Sequence, residues 1–113
     1  MAYNNKLADR IRTYLAAIPG LKIEEKRMFG GLAFMVDAKM CVCVSKENLM
    51  CRFDPELQES IAAKKGFQEM VMKGRVYKGY CLVGPDGIKT DKDFGYFMNL
   101  CLDYNKRAES SKK

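Results

Sequence analysis

Apolar residues near the start of the chain recur at intervals of four, four and three positions. This spacing is that of one helix face and predicts a helix over residues 5–18. Asn4 or Asn5 can cap its start, and Pro19 with Gly20 ends it. The predicted apolar face consists of Leu7, Ile11, Leu15 and Ile18.

The next part of the chain predicts three or four strands. Residues 22–29 are too charged for a central strand, so we expect a short edge strand, where charge discourages unwanted pairing. Residues 32–36 and 40–44 are apolar runs on either side of a two-residue turn and predict a hairpin. Residues 48–53 predict a further strand.

The central hairpin is apolar on both faces. If residues 37–38 form its turn, Phe34 lies opposite Cys41, and Leu32 lies opposite Cys43 on the same face. The other face carries Ala33, Met35, Met40 and Val42. Because an antiparallel sheet ordinarily has one wet face, helices must cover both sides or a second subunit must cover one. This pattern favours a homodimer.

The second half of the chain begins with a short helix over residues 55–64. Asp54 is a natural cap, and proline is well tolerated at the first helical position. Residues 67–72 and 76–83 have the composition of strands, and residues 73–75 predict the turn between them.

The last element has the clearest start signal. Thr90 and Asp93 match a loose capping box, which predicts a helix running to about residue 105. One apolar stripe consists of Phe94, Phe97, Met98, Cys101, Leu102 and Asn105, and a second of Tyr96, Leu100 and Tyr104. So wide an apolar surface is a second indication of self-association.

Together these elements predict an α+β fold with two layers. The sheet is mostly antiparallel, and the order is helix, three or four strands, helix, two strands, helix. A chain of 113 residues supports one domain, here residues 1–105, followed by a disordered basic tail at 106–113.

Charge and cysteine content narrow the setting of the protein. The net charge is +6, and the excess of Lys and Arg lies mainly in the second half, which favours acidic partners or polyanions. No apolar run approaches the roughly 20 residues of a membrane helix, and no secretory signal is present. We therefore expect a cytoplasmic protein whose five cysteines are reduced.

The residue types exclude several chemistries. The chain has no histidine, which removes the commonest general base and the usual nucleophile pairs. Cys41 and Cys43, with Cys51 or Cys81, offer an alternative reading as a small thiol or metal protein. Each cysteine lies in an apolar stretch, however, where free cysteine behaves as a small hydrophobe. Acid–base chemistry would then fall on carboxylates or lysine, but the carboxylates cluster at a solvated edge, a helix start and a turn or cap, where each has a structural role.

Two short segments suggest other sites. The Gly30-Gly31 pair precedes a strand and lacks a following Gly-Lys-Ser/Thr, so a bend with unusual dihedral angles explains it better than a phosphate loop. Basic and aromatic residues interleave at 73–80, and the cations that could contact nucleic acid or an acidic partner are Lys73, Arg75 and Lys78.

Strict strand alternation offers a plainer interpretation of that second segment. It places Lys78 and Tyr80 on one face of the strand. Tyr77 and Gly79 then lie on the other face, as in an ordinary amphipathic strand.

Four segments carry a family resemblance: MAYNNKLADRIR, RMFGGLAFMVDAKMCVCVS, MKGRVYKGY and PDGIKTDKDFGYF. They resemble the N-terminal domain of the TfoX/Sxy family, bacterial proteins linked to the regulation of competence genes, over about residues 2–104. The residues that match the family motifs are Met28, Phe29, Gly30, Gly31, Phe34, Lys73, Gly74 and Arg75.

The resemblance implies a fold like that of type III secretion chaperones, often dimeric. It also implies a non-enzymatic regulatory role without a cofactor, as a partner of transcription machinery. Relatives often have Asn-Gly where this chain has Asp37-Ala38, and alanine tolerates positive φ poorly, which leaves the type of this turn open. Longer competence regulators carry a second, C-terminal domain; since this sequence ends in ESSKK, we expect the single-domain form here.

Overall fold

The computed structural model describes residues 3–28, 31–72 and 74–106. The helices and strands are α1 (Asn5–Ala16), β1 (Ile23–Met28), β2 (Gly31–Val36), β3 (Lys39–Ser45), β4 (Asn48–Arg52), α2 (Gln58–Ala62), β5 (Phe67–Met72), β6 (Arg75–Val83) and α3 (Asp91–Asn105). Two short 3₁₀ helices lie at Pro55–Leu57 and Pro85–Ile88.

The two long helices begin at predicted caps. The side-chain oxygen of Asn4 accepts a hydrogen bond from the backbone N–H of Leu7 at 3.1 Å. The hydroxyl of Thr90 accepts one from the backbone N–H of Asp93, also at 3.1 Å. Each cap satisfies a donor that has no partner within the first helical turn. Among the described helices, none is long and apolar enough to cross a membrane.

Within the described residues, six strands form one antiparallel sheet in the order β1-β2-β3-β4-β6-β5. The charged β1 lies at one edge, as predicted, and β5 lies at the other. The α+β class and the antiparallel sheet are confirmed. The main core packs α1, α3 and Ile61 of α2 against one sheet face, around Phe34 and Phe53, which are fully buried.

The predicted register of the central hairpin is wrong beyond its first pairs. Met35 lies opposite Met40, but Phe34 lies opposite Val42, because a β-bulge leaves Cys41 without a partner residue on β2. An extra residue shifts every later side chain by one position. Cys41 and Val42 therefore both belong to the helix-covered core, whereas Cys43 belongs to a second cluster. The expectation that Cys41 and Cys43 share one face is thus incorrect.

The second cluster lies on the other face of the sheet and comes entirely from strands. Its buried members are Ala33, Met35, Met40, Cys43 and Met50, with Met70, Tyr80 and Leu82 packed beside them. Each of the five is at most 5% exposed in the single chain. We call this set the methionine cluster. Its burial does not require a second subunit, so the first argument for a homodimer loses its basis.

The hairpin turn is also defined. Asp37 has a φ of 52° and Ala38 a φ of 69°. Positive φ at both central residues is the feature of the type I′ turn, whose twist matches that of the flanking strands. Aspartate tolerates this region, whereas alanine pays a steric cost of about 1 kcal/mol. The turn therefore matches that of an Asn-Gly hairpin, with some strain at Ala38.

Replacing Ala38 with glycine should stabilise the protein by about 0.5–1 kcal/mol, because the relief of strain exceeds the entropy gained by the unfolded chain. Chemical denaturation of the two proteins measures the difference. Ala63→Gly is a matched control, since Ala63 has an ordinary φ of −82° and this change should destabilise instead. A destabilised Ala38→Gly variant would contradict the strain argument.

Candidate functional site

Four of the five cysteines lie in the helix-covered core. They are Cys41, Cys51, Cys81 and Cys101, all fully buried or nearly so. Cys51 and Cys81 are directly opposite each other on β4 and β6. Cys43 lies apart from them, in the methionine cluster. Within the described part of the chain, no three His, Cys, Asp or Glu side chains are arranged to hold a metal ion.

The environment of Cys41, Cys43 and Cys51 keeps them as thiols. Burial raises the pKa of Cys43 to about 11 and is also the main reason that the pKa of Cys41 is raised. Hydrogen bonds to Cys101 and Cys81, followed by burial, raise the pKa of Cys51 well above its ordinary value. Because the thiolate is the form that acts as nucleophile and metal ligand, these cysteines are unreactive near neutral pH.

All five thiols should therefore resist a water-soluble disulfide reagent in the native protein, where all five are buried. We expect slow labelling at pH 8, at the rate of opening of the fold, and five rapid equivalents after addition of denaturant. A stopped-flow absorbance assay with an aromatic disulfide measures both rates. Rapid labelling of any cysteine in the native protein, with no loss of structure, would contradict this prediction and support the alternative hypothesis of a small thiol protein.

Carboxylates that were candidates for acid–base chemistry have structural contacts instead. Glu25 on β1 forms a two-point ion pair with Arg12 on α1, at 2.7 and 2.9 Å. This hydrogen bonding holds the pKa of Glu25 below its ordinary value. Asp54 caps the 3₁₀ helix by accepting from the N–H of Glu56 at 3.0 Å. Asp91, at the start of α3, lies 3.5 Å from Arg10.

Most family-motif residues of the first segment are structural. Phe34 is fully buried in the main core. A Cβ built on Gly31 would overlap the carbonyl oxygen of Val44, so β2 and β3 approach too closely there for any side chain. Met28 ends β1, where it pairs with Gly31. The remaining two, Phe29 and Gly30, lie outside the described residues.

The second motif segment is at the surface. Gly74 has a φ of 77°, which favours glycine, and Arg75 begins β6. Lys73 lies outside the described residues. We define the hairpin arm as Val71 together with residues 74–78, all of which are exposed. Both strand faces of β6 are exposed over this stretch, so the arm extends beyond the packed body of the protein.

Gly79 is the point at which the arm leaves the body. Its φ is 88°, and its carbonyl accepts a hydrogen bond from the N–H of Phe53 at 2.8 Å. Its own N–H donates to the side chain of Gln58 at 3.2 Å. The positive φ interrupts strand alternation, and the rings of Tyr77 and Tyr80 come into edge contact, with centroids 6.3 Å apart. The predicted separation of these two tyrosines on opposite faces is wrong.

The arm combines cations with exposed apolar side chains. Val71 and Val76 are paired across the two strands and are 55% and 47% exposed. Tyr77 is 41% exposed. Arg75 and Lys78 form no ion pair with any described residue. The sequence identifies these cations as candidates. It does not show that both faces of β6 are exposed here, because the sign of φ at a glycine cannot be seen in a sequence.

A second surface feature is a groove beside α3, of about 560 Å³. Its lining consists of Ile18, Leu21, Val36, Asp37, Tyr96, Asn99, Leu100, Leu102, Asp103, Asn105 and Lys106. Tyr96 and Leu100 belong to the predicted second stripe of α3, and Tyr96 is 39% exposed. Tyr104, the third member, lies instead beside the guanidinium of Arg52, 5.7 Å from ring centre to Cζ. We call this feature the α3 groove.

Comparison with known proteins adds a family. A family model described as the TfoX N-terminal domain matches residues 14–104. No curated protein and no solved structure matches the chain. The match covers α1 from Tyr14 onward, the whole sheet and almost all of α3. The likeness to secretion chaperones stays a prediction.

Proposed function

The chain belongs to the TfoX N-terminal domain family, and on that premise we propose that it is a cytoplasmic, non-enzymatic regulatory module that acts through protein–protein contacts with transcription machinery. A competence-regulator-like module fits the family. The observation that carries the contact proposal is the α3 groove, an apolar surface of the size that takes a few side chains.

Several observations support a role without catalysis. The chain has no histidine, and its cysteines are buried as thiols. Glu25 and Asp54 are held by an ion pair and a cap. None of these residues offers a group suited to proton transfer or nucleophilic attack. Binding is therefore the simpler use of the fold.

The α3 groove indicates the chemistry of the partner segment. Its floor is apolar, with Leu21, Leu100 and Leu102 from two parts of the fold. The charged lining residues are two acids, Asp37 and Asp103, and one base, Lys106, so acids outnumber bases. We propose that the occupant is a short segment of a partner protein that inserts one or two apolar side chains and carries a basic residue nearby. Such anchors in an apolar groove are a common recognition mode.

Affinity capture from bacterial cytosol tests this proposal. The intact protein is compared with Leu100→Lys in the groove, Asp103→Lys on its exposed rim, and the control Leu57→Lys, which changes an exposed leucine outside the groove. We expect components of the transcription machinery with the native chain and the control, and at least a tenfold loss with both groove variants. Equal recovery with all four proteins, or recovery of no such component, would overturn the proposal.

The homodimer is a further proposal, supported now by the exposed part of α3 alone. Sedimentation at micromolar concentration should show a dimer. Leu100→Lys separates two cases: a variant that remains dimeric leaves the α3 groove available to a different protein. A monomeric variant means that a second copy fills the groove, which would contradict the proposal of a partner segment there. A native protein that sediments as a monomer would refute the dimer.

A further inference from the structure

The hairpin arm has the form of a ribbon that enters a groove. Residues 75–78 are exposed on successive positions of β6, so neither face of this strand is packed against the body over that stretch. A partner with a flat surface would cover one face only. A partner that surrounds a two-stranded ribbon must be concave, and the major groove of duplex DNA has the width to admit such a ribbon.

The charge of the arm matches a polyanion. Arg75 and Lys78 make no ion pair among the described residues, and Glu69 is the one acidic residue in the sequences of β5 and β6. Guanidinium and ammonium groups that have no internal acidic partner are suited to phosphate oxygens. The net charge of +6 would add a general attraction to DNA.

The apolar residues of the arm also suit the base edges and sugars that line a groove. Tyr77 is 41% exposed, and its ring meets the edge of Tyr80, which limits its orientation. Exposed aromatic rings can contact bases and sugars. Val71 and Val76 form an adjacent exposed pair, which can contact thymine methyl groups.

The arm is held by hydrogen bonds at the bend where it joins the rest of the sheet. At the bend, the backbone of Gly79 is bonded to Phe53 and to the side chain of Gln58. A Cβ at this position would lie 3.0 Å from a ring carbon of Pro55 and 3.1 Å from the carbonyl oxygen of Phe53. The bend therefore depends on glycine, and it fixes the direction in which the ribbon leaves the sheet.

From these observations we propose that the hairpin arm binds duplex DNA by entering the major groove, with Arg75 and Lys78 on phosphates and Tyr77 against a base or sugar. This activity goes beyond the proposed function, because it uses neither the α3 groove nor a protein partner. It gives the module a second contact, through which a bound protein could be held close to DNA.

Fluorescence anisotropy with a labelled 20-base-pair duplex, titrated between about 20 and 200 mM salt, tests the proposal. For two phosphate contacts we expect log affinity to fall against log salt with a slope of about −1.8. Arg75→Ala and Lys78→Ala should each reduce the size of that slope by about 1. Tyr77→Ala should weaken binding about fivefold or more, because it removes an apolar contact.

Charge reversal provides the matched control. Arg75→Glu with Lys78→Glu should weaken binding more than tenfold, whereas Lys89→Glu with Lys92→Glu makes the same change of net charge at exposed positions off the arm. Equal losses in the two double variants would mean that net charge alone acts, and would overturn the proposal. Circular dichroism melts show that each variant is folded.

Two further outcomes would also overturn it. One is tighter binding to the single strand than to the duplex, which contradicts entry into a groove. The other is absence of salt-sensitive DNA binding; if the Arg75→Glu, Lys78→Glu variant also loses a captured protein, the arm is a protein site. Leu100→Lys should bind DNA normally, so failure of the α3 groove proposal and failure of this one are distinguishable.

Discussion

Replacing Gly31 with alanine should destabilise the protein by more than about 4 kcal/mol, a large share of the roughly 5–15 kcal/mol that stabilises a typical domain. A Cβ at this position would overlap the carbonyl oxygen of Val44 and lie 2.9 Å from its carbonyl carbon. Both atoms belong to the backbone of β3, in the centre of the sheet, so no side-chain rotation can relieve the overlap. Separating the strands would break their pairing.

The measurement is urea denaturation followed by circular dichroism. Gly20→Ala is the control, because Gly20 has a φ of 84° with nothing within 4 Å of its hypothetical Cβ. That change should cost only about 1–2 kcal/mol, the ordinary cost of a left-handed alanine. If the two variants lose the same stability, close approach of β2 and β3 is not what requires glycine at position 31.

Gly31 shows what the sequence could not reveal. The sequence predicts a bend with unusual dihedral angles at the glycine pair, but Gly31, the one member of the pair that the structure describes, is not among the residues with positive φ. Its requirement is space, set by a strand that lies thirteen residues further along the chain at Val44. Local sequence indicates where glycine is unusual, whereas the atoms that exclude a side chain are known only once the strands are paired.

The sequence determines the helices and strands better than it determines the two faces of the sheet. Helix α1 and helix α3 have caps and periodic apolar positions, so their starts and buried faces followed from short-range rules. Residues 40–44 are apolar without interruption, so period-two alternation carries no information about faces there. The bulge at Cys41 then reversed the expected positions of Val42 and Cys43.

The candidate surfaces, too, could be predicted only in part from the sequence. Sequence spacing identified the cations of the arm and the second stripe of α3. It could not show that Gly79 takes a positive φ, nor that Tyr104 lies beside Arg52 instead of lining the α3 groove with Tyr96. Both outcomes depend on packing between elements distant in sequence. Exposure of the arm on two faces, and therefore its suitability for a groove, follows from the structure alone.

Replacing Met50 with aspartate should cost about 4 kcal/mol or more of folding stability. Met50 is 3% exposed and lies on β4, in the interior of the sheet, opposite Cys43 and Leu82 of the neighbouring strands. It belongs to the methionine cluster, whose other buried members are alanine, methionine and cysteine side chains that cannot pair with a carboxylate. Met50→Leu keeps the apolar volume and should cost less than about 1.5 kcal/mol.

Denaturation of these variants at several protein concentrations tests whether the methionine cluster is a core within one chain or half of an interface. A cluster closed within one chain predicts that the loss in Met50→Asp is the same at 1 and 100 μM, because the aspartate is desolvated in every folded molecule. A dimer interface predicts that the native protein gains stability with concentration and that Met50→Asp gains none, because mass action stabilises only associating chains.

A variant that folds stably as a monomer, with its carboxylate in water, would show that the sheet does not bury this face by itself. Since each member is already at most 5% exposed in one chain, we expect the concentration-independent loss, with any dimer using a different surface.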